Sequence, residues 1–201
     1  MIRCVSMLLL ALYLTALLAC SGGDAKDKDT KPATKDAKGG STSAGADAKL
    51  EAVSVGDLKV QKFGRFYLGG QPSKSDLAKF KEAGVKTLIT LRMEDELKDF
   101  KEMEVAAELG MIYNNPGFSS AATLSDPILD RVRSLLSSDQ KEPVLLHCAS
   151  GGRVGAVWLA HRVLDDGIPY NQALEEAKAI GLKSKDLEDR AKKYIDEQKA
   201  N

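Results

Sequence analysis

Cysteine is nearly missing from this sequence: three of 201 residues, at Cys4, Cys20 and Cys148. The first two stand in an apolar leader, so Cys148 is alone in the rest of the chain. That excludes a disulfide framework and a cysteine-based zinc site. Histidine is scarcer still, with only His147 and His161, which argues against a multi-histidine metal centre. No metal or cofactor is expected. An excess of either charge is lacking too: 29 Lys and Arg stand against 29 Asp and Glu. No global field therefore selects nucleic acid or an anionic lipid surface as a partner. No internal repeat is present.

What is there begins with the leader. Arg3 gives it a positive start, and Val5 to Ala19 form an almost purely apolar run of 15 residues. A spanning helix needs roughly 20, so the length suits the apolar region of a signal peptide. The run ends in Leu17-Leu18-Ala19-Cys20, followed by Ser21-Gly22-Gly23. That string resembles a bacterial lipobox, in which the cysteine receives lipid and becomes the new N-terminus. The resemblance implies a signal peptide over residues 1–19 and lipidation of Cys20; an ordinary cleaved signal with an incidental cysteine is the alternative. Ser21 is not an inner-membrane retention residue in Gram-negative sorting. The expected location is thus the outer membrane, facing the periplasm, with the lipid as the only membrane contact. Residues 20–49 carry Asp, Lys, Ala, Gly, Ser and Thr and, after Cys20, no aromatic or large aliphatic residue. Such a segment cannot offset the entropy of ordering and is expected to be a disordered tether.

The folded domain is expected over residues 50–201. Leu58-Lys59-Val60 and Phe66-Tyr67 read as short strands ending at Gly69-Gly70. Ser73, with Asp76 three residues on, signals a helix start; Leu77 and Phe80 point inward and Gly84 stops the helix. Val85 to Leu91 reads as an apolar and β-branched run, as in a strand covered on both faces. A helix is expected from Asp95 to Leu109, a strand at Met111 to Tyr113, and a helix capped by Ser125. Val144 to His147 is the last strand, and helices at Val154–Leu164, Asn171–Ile180 and Lys185–Gln198 finish the chain. Strand and helix alternate, so the class is α/β. The reading is three layers, a largely parallel sheet of about four to five strands with helices on both faces.

The chemistry concentrates in Pro143 to Trp158, PVLLHCASGGRVGAVW. A buried strand delivers Cys148 to its carboxyl end, where open α/β sheets bind their ligands. Ala149, Ser150, Gly151 and Gly152 are small enough for a tight wrap, and both glycines permit positive φ, so successive N–H groups can converge on one anion. The helix that starts near Arg153 directs its positive end to the same point. With a guanidinium beside it, this setting favours thiolate over thiol. Nucleophile and oxyanion cradle then share one turn. A buried structural cysteine, the commoner fate of a lone one, accounts less well for Gly-Gly-Arg directly after it.

The order strand, His-Cys, small residues, Ser-Gly-x-Arg, helix resembles the cysteine-dependent phosphatases, especially their dual-specificity branch. It is closer still to a bacterial group of phosphatase-like domains akin to the one attached to β-lactamase hydrolase-like proteins. Gly69-Gly70-Gln71-Pro72, Asp76-Leu77 and the Gly84-to-Arg92 string GVKTLITLR are similar to that group as well. The likeness spans roughly residues 60 to 165. It implies a hydrolase of phosphomonoesters on small molecules or phosphotyrosine and phosphoserine proteins. In such enzymes the cysteine attacks phosphorus, the arginine clamps two equatorial oxygens, and a cysteinyl-phosphate is hydrolysed. Cys148 and Arg153 are the implied catalytic pair and Ala149 to Gly152 the substrate cradle. His147, expected on the sheet face opposite Cys148, and Arg92, which leaves its strand on the same edge as the loop, are the supporting residues. Arg92 can contact substrate or pair with Glu94-Asp95-Glu96, and the second is favoured.

Three departures stand beside the resemblance. Only four residues separate Cys148 from Arg153, where the phosphatase loop usually has five. Val154 and Gly155 follow the arginine where a hydroxyl usually assists breakdown of the intermediate. No carboxylate lies between Tyr113 and Asp126, where a mobile loop usually supplies the general acid. Glu94, Asp95 and Glu96 are placed to substitute, and equally read as solvated helix-start charges; none is assigned. The short loop is also the length found in rhodanese-like sulfurtransferases, where the cysteine carries a persulfide. Sulfur transfer is therefore the alternative enzyme, and a non-catalytic anion-binding module the alternative of another class.

Overall fold

The computed structural model describes residues 49–200; the leader, Cys20 and nearly all of the expected tether lie outside the described residues. Six strands form one sheet: β1 (Glu51–Val55), β2 (Leu58–Phe63), β3 (Phe66–Gly69), β4 (Thr87–Thr90), β5 (Ile112–Asn114) and β6 (Val144–His147), in the order β1-β2-β3-β6-β4-β5. The three central and C-terminal pairings, β3–β6, β6–β4 and β4–β5, are parallel, and the β1–β2–β3 edge is antiparallel. The strand beyond the expected five is β1. It lies at the edge and is largely exposed, so no buried alternation marks it in the sequence.

Helices cover both faces. α1 (Lys74–Glu82) and α2 (Glu102–Glu108) bury Leu77, Phe80 and Ala106 against Tyr67, Leu88 and Leu145 on one side. α3 (Asp126–Leu136), α4 (Gly152–Leu164), α5 (Tyr170–Ile180) and α6 (Lys185–Ala200) pack on Leu68, Ile89 and Leu146 on the other. β4 and β6 are buried at every position, which is why these stretches read as strands of apolar and β-branched residues covered on both faces. Ser73 and Asp76 close a reciprocal capping box on α1. Ser125 occupies the cap position of α3 without a side-chain bond. α4 is the central helix of its layer: Trp158 meets Phe63 and Phe66 edge-on, each at 5.5 Å. A Cβ at Gly155 would lie 2.5 Å from the Ala177 carbonyl, so only glycine lets α5 approach this closely.

One expected element is broken. The helix from Asp95 to Leu109 is a 3₁₀ turn at Glu94–Glu96, an irregular stretch, and then α2 from Glu102. The reason is local: Arg92 Nη2 donates to the Glu96 carbonyl at 2.6 Å, and the Glu96 carboxylate turns inward, away from a helix surface.

Candidate active site

β6 ends with His147, and Cys148 follows at the carboxyl edge of the sheet, only 1% exposed. Neighbouring strands hold this point: Cys148 N–H donates to the Gly69 carbonyl at 3.2 Å and Leu91 N–H to the His147 carbonyl at 2.9 Å. Gln71 N–H fixes the Ala149 carbonyl at 3.2 Å, and Gly70 bridges Ser150. Of the two loop glycines only Gly151 takes positive φ, at 90°; Gly152 is already the first residue of α4. The turn at Gly151 brings its N–H to Cys148 Sγ at 3.1 Å. A Cβ there would lie 2.3 Å from the Ile180 carbonyl, so the position excludes side chains on two grounds.

Arg153 stands in the first turn of α4 and is 9% exposed. Its Nη1 donates to Glu96 Oε1 at 2.7 Å and to the carbonyls of Leu91 at 3.0 Å and Phe118 at 2.5 Å; its Nη2 donates to Glu96 Oε2 at 2.7 Å. Glu96 therefore takes the end-on fork of the guanidinium. The side-on fork, Nε–H and the second Nη2–H, makes no well-formed hydrogen bond to oxygen or nitrogen within the described residues, and Cys148 lies close enough to act on the guanidinium. The Glu96 bonds, against an opposing cost of burial, raise the Arg153 pKa, and Cys148 acts in the same direction. The Arg153 hydrogen bonds hold the Glu96 carboxyl at about 2, opposed by burial and assisted by the Met93 N–H and the charge of Arg92. Glu96 is thus neither a solvated helix-start charge nor, ionised through the neutral range, a proton donor.

Arg92 pairs with the acidic run, as favoured from sequence: its Nε lies 3.6 Å from Glu96 Oε2, while its Nη1 donates to Gln71 Oε1 at 2.7 Å. Gln71 Nε2 donates in turn to Glu102 Oε1 at 2.7 Å. His147, fully buried, lies on the face opposite Cys148, against α2. Its Nε2 is 3.2 Å from Glu102 Oε1, close enough for charge attraction but out of line for a well-formed hydrogen bond. Burial works against the Glu102 carboxylate, yet contacts with His147 and Gln71 keep its pKa below the usual value. A continuous polar chain, Arg153–Glu96–Arg92–Gln71–Glu102–His147, therefore wraps the nucleophile loop. Sequence reasoning named Cys148, Arg153, His147 and Arg92 but missed Gln71 and Glu102. Gln71 stood in a string already noted for its likeness; Glu102 lay hidden in the expected long helix.

No acid faces Cys148 from the loop after β5. Asn114 accepts from Arg131 at 3.2 Å, and Asp126 starts α3 and pairs with Arg190. His161 is a core-edge residue bound to Asp165 at 2.9 Å. What the arrangement offers chemically is a sulfur at a strand end, a donating backbone turn, and a guanidinium braced with one fork open.

Residues 48–195 match the family model described as DSP-PTPase phosphatase fused to NAD+ kinase. No curated protein sequence matches the chain. Among solved structures, the fold is similar to TpbA from P. aeruginosa in complex with pTyr, at 20% identity and a TM-score of 0.58, covering 75% of this chain and 90% of that one. Kinase associated phosphatase, with its catalytic-site cysteine substituted by serine, is 15% identical with a TM-score of 0.61, covering 77% and 97%. A DUF442 protein from Shewanella putrefaciens CN-32 is 17% identical with a TM-score of 0.56, covering 66% and 87%. At these identities the likeness shows a shared fold.

Proposed function

The chain belongs to the DSP-PTPase phosphatase family, and on that premise we propose that it hydrolyses phosphomonoesters through a cysteinyl-phosphate on Cys148. The observation that carries the reading is the pairing of Cys148 Sγ, under the Gly151 N–H at 3.1 Å, with an Arg153 whose end-on fork Glu96 already holds. The open fork suits two equatorial oxygens of a phosphoryl group. The loop from Ala149 to Gly152 supplies backbone donors around the third. The thiolate forms a P–S bond as the ester P–O bond breaks, and the leaving oxygen takes its proton from solvent. Water then attacks phosphorus, the P–S bond breaks, and phosphate and thiolate are released. His147 and Arg92 support the loop from behind. Because no side chain among the described residues is placed to protonate the leaving group, good leaving groups such as aryl phosphates are the favoured substrates. That TpbA is solved with pTyr makes phosphotyrosine the first protein substrate to try. The proposal places the enzyme on the outer membrane through lipid on Cys20, facing the periplasm, with residues 20–49 as tether.

A second reading has its own observation: the four-residue spacing from Cys148 to Arg153, shared with sulfurtransferases. One experiment separates them. The full-length protein is assayed with an aryl phosphate and, separately, with thiosulfate plus cyanide. Vanadate-sensitive phosphate release that Cys148→Ser abolishes is the expected result. Thiosulfate–cyanide turnover with a persulfide trapped on Cys148, and no phosphate release, overturns it in favour of sulfur transfer. Stabilisation by phosphate without either reaction makes the loop a binding cradle only.

A further inference from the structure

Gln71 stands two residues past the end of β3, where the two halves of the site meet. Its main-chain N–H donates to the Ala149 carbonyl at 3.2 Å, one residue beyond the nucleophile. Its side chain is engaged at both ends. Oε1 accepts from Arg92 Nη1 at 2.7 Å, and Nε2 donates to Glu102 Oε1 at 2.7 Å and to the Pro72 carbonyl at 3.1 Å. A guanidinium only donates and an ionised carboxylate only accepts, so one orientation of the amide satisfies both partners. Beyond Arg92 stands Glu96, whose carbonyl accepts from Arg92 Nη2 at 2.6 Å and whose carboxylate holds Arg153. Beyond Glu102 stands His147, which directly precedes Cys148.

We propose that Gln71 is a positioning residue for the reaction at Cys148: its amide keeps the Arg153 clamp and the nucleophile loop in one register. The role rests on the phosphatase reading above, and Gln71 acts through Arg92 and Glu102 rather than by touching substrate. Among the described residues the Arg92 guanidinium makes two side-chain hydrogen bonds, to Glu96 and to Gln71, while its buried Nε makes none. Without the Gln71 oxygen one bond is left. The turn that presents Glu96 to Arg153 leans on that guanidinium, so the loss passes to the clamp. On the other arm the Glu102 side chain is buried and its Oε2 already lacks a partner. Removing the Gln71 donor leaves its Oε1 with the out-of-line His147 contact, a costly state for a buried carboxylate. A glutamine meets both demands because donor and acceptor share one rigid plane.

Two measurements on the full-length protein test this: vanadate binding by calorimetry, and kcat and KM on an aryl phosphate. Gln71→Met keeps the length and removes both polar atoms. It should weaken vanadate binding and lower kcat, each on the order of tenfold, with KM within about threefold, because a displaced clamp is felt most in the transition state. Gln71→Glu keeps an acceptor for Arg92 but sets a carboxylate against Glu102, and should lose at least as much. The swap Gln71→Glu/Glu102→Gln restores a donor facing an acceptor at unchanged net charge. It should recover at least about threefold in kcat over Gln71→Glu, short of wild type because a carboxylate cannot donate to the Pro72 carbonyl. A kcat loss at steady KM that the swap reverses is not what a role in stability alone would produce. Should Gln71→Met fail to fold, Gln71→Glu against the swap decides. Vanadate affinity and kcat within about twofold of wild type in Gln71→Met, or a swap no better than Gln71→Glu, overturns the inference alone. A wild type that binds vanadate but releases no phosphate overturns the phosphatase reading instead, and vanadate affinity across the same variants still decides the role of Gln71. No vanadate binding by wild type overturns both.

Discussion

Replacing Glu96 by Gln removes one charge and almost no volume from the brace on Arg153. A carboxyl held at about 2 rather than at its ordinary 4.5 corresponds to about 3 kcal/mol of favourable interaction in the charged state. The side chain keeps 28% of its exposure, and solvent screening lowers the contribution to about 1–2 kcal/mol. For a domain of this size that is a fall in Tm of about 2–8 °C at pH 7. The pH dependence has a fixed sign. The folded value lies below the unfolded one, so the contribution is complete above about 4.5 and is lost as pH falls from there toward 2. Urea unfolding of wild type and Glu96→Gln should therefore show a gap at pH 7 that closes to about half or less by pH 3. Activity gives the second readout. Glu96 is ionised at working pH and cannot protonate a leaving group. Its loss should then slow aryl and alkyl phosphate hydrolysis by one common factor, on the order of ten- to a hundredfold, through misplacement of Arg153. A stability gap equal at pH 7 and pH 3, or a loss confined to alkyl phosphates, would refute the reasoning. The second outcome would make Glu96 the missing acid.

Arg153→Lys should lower kcat/KM on aryl phosphate on the order of a hundredfold, because a point charge cannot engage Glu96 and two phosphoryl oxygens together; a loss under about fivefold removes Arg153 from the clamp. Gly151→Ala places a Cβ at positive φ and 2.3 Å from the Ile180 carbonyl, and should destabilise by about 2–4 kcal/mol in denaturant titration. Wild-type stability in that variant would mean the turn is not built as described. Cys20→Ser should release the protein from membranes or leave its precursor unprocessed, and unchanged fractionation with an unmodified mature N-terminus would exclude lipidation.

Much of the fold was legible because its central strands are buried on both faces. Val85–Leu91 is rich in apolar and β-branched residues and Val144–Leu146 is apolar throughout, and a parallel sheet under two helical layers follows from that. β1 escaped notice because an edge strand with one half-wetted face has no strong period. The site divided along the same line. Cys148, the small residues after it and Arg153 are contiguous in sequence, so their chemistry could be read without a fold. Glu96 and Glu102 lie 57 and 45 positions from the residues they touch, Arg153 and His147. Only tertiary packing converts them from surface-looking acids into the partners of a buried arginine and histidine. The one local hint was that Glu94-Asp95-Glu96 follows a strand ending at Leu91, on the sheet edge that carries the loop.

The short spacing between Cys148 and Arg153 poses the sharpest question, and the helix geometry answers part of it. With four intervening residues and α4 starting at Gly152, the arginine falls inside the first turn rather than at the end of the loop. Helical side chains tilt toward the N-terminus of their helix, so the guanidinium still returns over the loop to reach Leu91, Phe118 and Glu96. A shorter loop thus costs backbone donors but not the clamp. The remaining donors then have to be distributed. One amide, that of Gly151, is already committed to Cys148 Sγ, and it serves either chemistry. The guanidinium discriminates better. A persulfide carried on the cysteine presents one terminal sulfur and no pair of oxygens, and a lone positive charge nearby would serve it as well as an oriented fork. Bracing the end-on fork with Glu96 and two carbonyls orients the side-on fork in the plane of two parallel donors. That orientation suits an acceptor with two oxygens at matching separation, which a phosphoryl group on Cys148 would present and a persulfide would not.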